Sequence, residues 1–363
     1  MSQTSIPFLF MRGGTSRGPY MNSVDLPEDR EALSRVLVAI VGSGHPLNID
    51  GIGGGAAMTT KVAMLSPSDD DWADVDYFFA QVSVEDQLVD FKPTCGNILV
   101  GVGPAAIEMG LVECQGDVTE VRIRAVNTGA RVVAKVRTAG GQVEYEGDAR
   151  IDGVPGTAAP IELLFKDVVG GATGQMFPTG NRKDSVDGIE VTCMDVAMPM
   201  VIARAEDFGL TGAETAEDLD ANRAFYERME PIRLKAGALM GMGDVSKSVT
   251  PKFGLVAAAK DGGSALVRYF MPWKTHPSLA VTGSQCMSAC LLCPGTVADG
   301  VMARPNTSEV QMFLEHPMGI LEVLMDTRSD GDTFEVISAG LTRTARKIAA
   351  GEVFVPASVW TRG

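Results

Sequence analysis

Cys95-Gly-Asn-Ile-Leu-Val-Gly-Val-Gly103 and Ser284-Gln-Cys-Met-Ser-Ala-Cys-Leu-Leu292 carry no charged residue, and each follows a polar turn. A helix without a polar stripe must be buried on every side. Each segment therefore predicts a helix at the centre of its own core, with strands around it. Pro104 falls inside the first helical run and should kink it. Pro294-Gly295 is a stop signal for the second. The segments lie about 189 residues apart, and two further pairs share that offset. Thr119-Glu-Val-Arg-Ile-Arg124 matches Ser308-Glu-Val-Gln-Met-Phe313. Thr138-Ala-Gly-Gly-Gln-Val-Glu-Tyr145 matches Thr327-Arg-Ser-Asp-Gly-Asp-Thr-Phe334. In both copies a strand-like run ends in a polar glycine turn and a second strand-like run follows, which is hairpin grammar. The expected fold is α+β, with two pseudo-symmetric domains, each a β-barrel-like sheet around a central helix.

The crossover is expected in the polar stretch 181–188, giving domains of 1–184 and 185–363, with the last strand free to return to the first domain. Strands are predicted over 121–126, 132–136, 142–146, 188–196, 255–259 and 265–270, and surface helices over 30–41 and 214–229. A chain of 363 residues exceeds one compact core. At 45% hydrophobic and 21% charged residues it is not a disordered chain. A net charge of −15 without a Lys/Arg cluster argues against nucleic acid as a partner. The same field repels anions at long range, so an anionic ligand needs a locally positive pocket. No run approaches the ~20 apolar residues of a membrane span, and the N-terminus lacks a basic leader. A cytoplasmic protein with no membrane partner is expected. The six cysteines form no disulfide framework. Cys290-Leu-Leu-Cys293 continues apolar on both sides and reads as a pair of buried helix cysteines, not a metal or redox motif.

Four segments concentrate chemistry. Met11-Arg-Gly-Gly-Thr-Ser-Arg-Gly18 offers Arg12, Thr15, Ser16 and Arg17 on a glycine-rich backbone, a composition suited either to an anion cradle or to a plain polar loop between strands. Asp50-Gly-Ile-Gly-Gly-Gly-Ala-Ala-Met-Thr-Thr-Lys61 only superficially resembles a nucleotide loop. No glycine precedes Lys61, no hydroxyl residue follows it, and the next residues read as a strand. What remains is a loop that delivers Lys61 to a strand mouth. Pro93-Thr-Cys95-Gly96-Asn97 places a cysteine at the start of the buried helix, where free N–H groups favour a thiolate. Lys274-Thr-His276-Pro-Ser-Leu-Ala-Val-Thr282-Gly283-Ser284 repeats that turn-to-helix pattern, with Ser284 opposite Cys95 in the alignment and His276 a lesser candidate for proton transfer. An amine and a thiol flanking one carbon acid can remove and return protons without metal or organic cofactor. An isomerase, tautomerase or epimerase acting on an anionic carbon acid is the chemistry these residues suit.

MRGGTSRG, IDGIGGGAAMTTKVA, CGNILVGVGPAAIE and THPSLAVTG, in that order, resemble the PrpF family across nearly the whole chain. The family includes 2-methylaconitate cis-trans isomerase and 4-oxalomesaconate tautomerases or isomerases. The resemblance implies a diaminopimelate epimerase-like fold and cofactor-independent proton transfer on unsaturated polycarboxylates. Carried over by motif, it implies Lys61 and Cys95 as catalytic residues. It implies Arg12, Thr15, Ser16, Arg17, Gly96, Asn97, Lys274, Thr282, Gly283 and Ser284 as substrate contacts. Where epimerases of this fold carry a second cysteine, this chain has Ser284 or the preceding Thr282-Gly283, which argues against two-cysteine racemisation. Departures fall on the pocket. Arg17 stands where many members have lysine, Thr60 precedes Lys61 where many have serine, and a proline is missing from the Gly54-Gly-Ala-Ala-Met-Thr59 stretch. The wording DVDYFFAQV and CGNILVGVGPAAIE is most like the 4-oxalomesaconate branch, whose substrate belongs to gallate and protocatechuate degradation. The partner implied is a small anionic tricarboxylate, and a homodimer is the default assembly.

Overall fold

The computed structural model describes residues 2–331 and 333–362. Two compact units are present, Met1–Phe165 with Thr342–Gly363, and Lys166–Leu341. The change of unit thus lies at 165/166, upstream of the expected 184/185. The segment after residue 166 hydrogen-bonds to the second unit, Gly170 N to Asp195 O at 2.8 Å and Ala172 N to the Asp195 carboxylate at 2.9 Å.

In the first unit the strands are β1 (Gln3–Gly13), β2 (Ser16–Asn22), β3 (Lys61–Pro67), β4 (Val75–Val82), β5 (Val89–Asp90), β6 (Val118–Ala125), β7 (Ala130–Arg137) and β8 (Pro160–Phe165). They pair in the order β1-β2-β3-β4-β6-β7-β8, with β5 on β4. The final strand, β16 (Thr333–Pro356), pairs with both β8 and β1 and closes the path. Helix α1 (Arg30–Val41) is capped by the Asp29 carboxylate, which accepts from Ala32 N, and ends at left-handed Gly42. It buries Leu33, Val36, Leu37 and Ile40 with Val62 and Met64 of β3 and Ala80 and Val82 of β4. The row from Cys95 forms two short helices, α2 (Gly96–Val100) and α3 (Val102–Glu108). Their Ile98, Leu99, Val100, Val102 and Ala105 lie in one core with residues of β2, β3, β4, β6, β7 and β8. The break is at Gly101, one turn before Pro104. Pro104 has no N–H for the Val100 carbonyl and its ring crowds that carbonyl, so the helix parts there, while proline itself is tolerated in the first turn of α3.

The second unit holds β9 (Asp184–Val186), β10 (Ile189–Asp195), β11 (Pro199–Arg204), β12 (Lys252–Ala258), β13 (Ala265–Phe270), β14 (Glu309–His316) and β15 (Gly319–Asp330), with the first part of β16. Its helices are α4 (Ala216–Ala221), α5 (Arg223–Leu239) and α6 (Val281–Leu292). The pairing senses repeat those of the first unit. β2–β3 and β11–β12 are parallel, β3–β4 and β12–β13 antiparallel, β4–β6 and β13–β14 parallel, β6–β7 and β14–β15 antiparallel. An outer helix precedes β3 in the first unit and β12 in the second, and a core helix follows β5 in the first and β13 in the second. The internal duplication is therefore topological as well as sequential. Helix α6 is buried from Gly283 to Leu292, as its apolar circumference requires. Cys286, Cys290 and Cys293 are buried free thiols, and burial pushes Cys290 up to about 12 and Cys293 up to about 11.

Two predicted elements differ. Residues 142–146 form no strand, because the free edge of β7 is taken by β8. The helix over 214–229 is two helices, divided where the Asn222 side chain accepts from Phe225 N at 3.1 Å and caps α5. Among the described residues no helix is long and apolar enough to cross a membrane.

Glu315 of β14 is 3% exposed and accepts from three backbone N–H groups of the turn after β12: Lys260 at 2.9 Å, Asp261 at 2.8 Å and Gly263 at 2.7 Å. Burial alone would raise its carboxyl, but the three donors outweigh burial and hold it below the ordinary value. A depressed folded value gives stability that is present above the unfolded carboxyl value and is lost as pH falls through the folded one. Glu315→Gln should cost about 2 kcal/mol at pH 7, and the difference from the parent should shrink below the ordinary carboxylate range. Urea midpoints at several pH values check both; a pH-independent difference would contradict the assignment.

Candidate functional site

The β1–β2 hairpin brings three of the four motifs together in the first unit. Its strands pair Arg12 with Arg17 and Gly13 with Ser16, so Gly14-Thr15 forms the turn, with Gly14 at φ +49°. Thr15 N donates to the Asn97 side-chain oxygen at 3.2 Å, and a Cβ on Gly14 would overlap that same oxygen. The turn is thereby seated on the residue two beyond Cys95. At the other end of the motif, a Cβ on Gly18 would overlap the Lys61 carbonyl oxygen. In between, Arg17 reaches the glycine loop, where a Cβ on Gly54 would lie 2.7 Å from its guanidinium. One hairpin thus contacts the backbone that carries Lys61, the loop that precedes it, and the start of the cysteine helix.

Lys61 opens β3, half-buried. Its amine donates to the Gln81 side-chain oxygen at 2.6 Å and lies 5.3 Å from the Phe79 ring centroid. Cys95 is the half-buried N-cap of α2, in extended backbone (φ −133°, ψ 109°), and its side chain caps nothing. The first-turn N–H groups of Gly96 and Asn97 have no partner among the described residues. Gly96 is exposed, with nothing within 4 Å of a Cβ placed on it. Because α2 has five residues, its contribution is these individual donors, not a long helix dipole. On β4, Tyr77, Phe79 and Gln81 alternate with outward residues and share one face. Gln81 and Phe79 meet the Lys61 amine, and Tyr77 donates to Cys95 O at 3.4 Å. Tyr20 on β2 donates to Ile98 O at 2.6 Å. Both phenols are buried, and burial, reinforced by the neighbouring Cys95, raises them well above the ordinary tyrosine value. They remain protonated donors to the loop that carries the thiol.

The arginines divide. Arg12 donates to Gly14 O at 2.8 Å and Thr344 O at 2.9 Å, pinning the turn to β16. Burial, with Arg346 nearby, lowers its guanidinium below the ordinary value. Its geometry is that of a staple for the hairpin. Arg17 is exposed, stacks on the Phe10 ring at 5.6 Å, and has no ion pair among the described residues. It is the available cation of the motif. Ser16 is buried and Thr15 exposed.

Lys274, Thr282, Gly283 and Ser284 lie in the second unit. Lys274 is exposed. The N-cap of α6 is Ala280, without a side-chain cap, and Thr282 and Gly283 fall in its first turn. Ser284 is one residue deeper, 1% exposed, and its hydroxyl donates to Val281 O at 2.7 Å. The expected equivalence of Ser284 with Cys95 is therefore out of register, since Cys95 is an N-cap and Ser284 is an interior helix residue. His276 accepts from Ser278 N at 3.0 Å in a local turn.

Gln81, Tyr20 and Tyr77 were not singled out by motif. The signal was available in DVDYFFAQV, where the inward period-two row is Tyr77, Phe79, Gln81.

A family model described as PrpF protein matches residues 3–356. The chain is 50% identical over 351 residues to YbhH of Escherichia coli (strain K12), whose name specifies no substrate, covering 97% of this chain and 99% of that one. It is 46% identical over 360 residues to the 4-oxalomesaconate tautomerase of Pseudomonas putida, covering 99% of each. The crystal structure of a methylitaconate-delta-isomerase superposes with a TM-score of 0.88 at 34% identity, covering 100% of this chain and 98% of that one.

Proposed function

The chain belongs to the PrpF family of isomerases, and from that premise we propose that it moves a proton on an unsaturated tricarboxylate, with 4-oxalomesaconate as the favoured substrate. The reaction is keto–enol tautomerisation or a 1,3-allylic shift. The observation that carries this reading is the hairpin that seats its glycines on both the Lys61 carbonyl and Asn97, next to Cys95. It ties an amine, a thiol and a free arginine to one rigid element, which is what proton transfer at one carbon needs.

In this reading neutral Lys61 takes a proton from the carbon between carboxylate-bearing groups, and the electron pair delocalises into a dienolate. Arg17 binds a carboxylate bidentately. The free N–H groups of Gly96 and Asn97 face the developing negative charge. Cys95 delivers the second proton, to oxygen for the enol or to the distal carbon for the shifted alkene.

The 46% identity to a 4-oxalomesaconate tautomerase supports this substrate over 2-methylaconitate. The two tricarboxylates offered side by side, followed by ultraviolet absorbance and by proton NMR in D2O, decide between them. Deuterium is expected at carbon with 4-oxalomesaconate. Turnover of 2-methylaconitate alone would shift the substrate, and thermal stabilisation by both without any deuterium uptake would make the protein a polycarboxylate binder. Cys95→Ser should lower kcat about 100-fold with an unchanged circular dichroism spectrum; undiminished turnover would remove the thiol from the mechanism.

A further inference from the structure

The Gln81 side-chain oxygen accepts from Lys61, and the two N–H groups on its nitrogen share four acceptors that fix which way the amide faces. Its nitrogen donates to Ala57 O at 3.1 Å, Thr60 Oγ1 at 3.1 Å, Val82 O at 3.2 Å and Thr60 O at 3.4 Å. All four partners can accept, so the amide nitrogen belongs on that side and the oxygen is turned to the Lys61 amine at 2.6 Å. Three of the acceptors belong to the glycine-loop end, Ala57 and Thr60, so the same amide ties that loop to β4 and aims the amine. A neutral oxygen accepts one N–H and leaves the nitrogen lone pair free for a substrate proton. A carboxylate in that place would favour the ammonium form, which has no lone pair to offer.

The fold does not demand this glutamine. In the second unit Lys252 opens β12, which pairs parallel with β11 and antiparallel with β13, the topological place that Lys61 holds on β3. Lys252 is 9% exposed, and its side-chain amine has no hydrogen bond or ion pair among the described residues. A lysine is thus accommodated there without an acceptor, and what Gln81 adds in the first unit is orientation.

We propose that Gln81 is the positioning residue for the Lys61 amine, a neutral acceptor that aims it while leaving it free to act as base. This rests on the assignment of Lys61 above. The cation and phenols on the elements packed against β3 are Arg17 and Tyr20 on β2 and Tyr77 on β4, with the Cys95 thiol at α2. The carboxylates are Asp76 on β4, Asp25 after β2 and Glu108 on α3, held by Arg124, Arg362 and Lys347 respectively, while Asp90 on β5 lies across from Gln81. None is ion-paired with Lys61, so a carboxylate at position 81 would be its first ion pair among the described residues.

The test is the pH profile of kcat/KM for Gln81→Glu and Gln81→Met with 4-oxalomesaconate, or with 2-methylaconitate if that is the tricarboxylate turned over. For Gln81→Glu the acidic limb should move up by about one pH unit or more, lowering kcat/KM about tenfold at a pH on the limb and recovering at higher pH. For Gln81→Met the limb should not move up, kcat should fall about tenfold, and KM should change less than twofold. The limb is read within each variant's own profile, so a smaller folded fraction does not displace it. A Gln81→Glu profile that overlays the parent would overturn the proposal. If Lys61→Met is inactive while Gln81→Glu is unshifted, only the role of Gln81 falls. If Lys61→Met is fully active, the base assignment falls with it.

Discussion

Lys61→Met should lower kcat by about 1,000-fold or more while leaving the thermal midpoint within a few degrees of the parent. Methionine keeps most of the volume and the unbranched stem but has no amine. A positioned general base contributes roughly 100- to 10,000-fold. The structural cost is small by comparison, since the lost partner leaves the Gln81 oxygen unsatisfied at a half-buried position, worth about 1 kcal/mol. The expected pair of observations, lost turnover and kept fold, separates a catalytic amine from a solvated surface lysine. Steady-state kinetics with a matching circular dichroism melt measure both. A variant that keeps full activity would return Lys61 to the surface-lysine reading and leave the fold assignment intact.

Gly18→Ala should destabilise the first unit by about 3 kcal/mol and abolish most activity with it. The Cβ would overlap the carbonyl oxygen of Lys61 and press on its carbonyl carbon. These are main-chain atoms of the neighbouring parallel strand, with Tyr20 paired to Ala63 just beyond. No side chain can rotate away, so β2 and β3 must separate, and the residue displaced first is Lys61. Gly351→Ala on β16 is the control. It has open space around its Cβ and should stay within about 0.5 kcal/mol. Equal midpoints for the two variants in urea would show that the contact at Gly18 yields more easily than its geometry indicates.

Parts of this architecture are legible in the amino-acid sequence. The uncharged rows after Cys95 and into Leu292 announced core helices because no other environment accepts a helix without a polar face. The Thr119/Ser308 match points to the duplication and falls on β6 and β14, whereas Thr138–Tyr145 lies beyond the end of β7 while Thr327 still belongs to β15. Other parts were misread for definite reasons. Residues 142–146 alternate like a strand, but β8, drawn from farther along the chain, occupies the edge they would need. Ser284 aligned with Cys95 by offset, yet the helix caps place Ala280 at that position. Alignment counts residues, whereas caps are set by where the backbone leaves the extended conformation. Arg12 and Arg17 are equivalent in composition and opposite in use. Only the approach of Thr344 on β16, from the far end of the chain, makes Arg12 a staple.

The amino-acid order alone determined the α+β duplication and marked Lys61, Cys95 and the Arg12–Gly18 loop as candidates. These depend on local quantities: apolar periodicity, glycine density, and which residue types stand beside a turn. Tertiary structure alone decided that Gln81 holds the Lys61 amine, that Tyr20 and Tyr77 brace the cysteine loop, and which arginine stays free. Those are contacts between segments distant along the chain, and a hydrogen bond of 2.6 Å depends on strand register that no local pattern encodes.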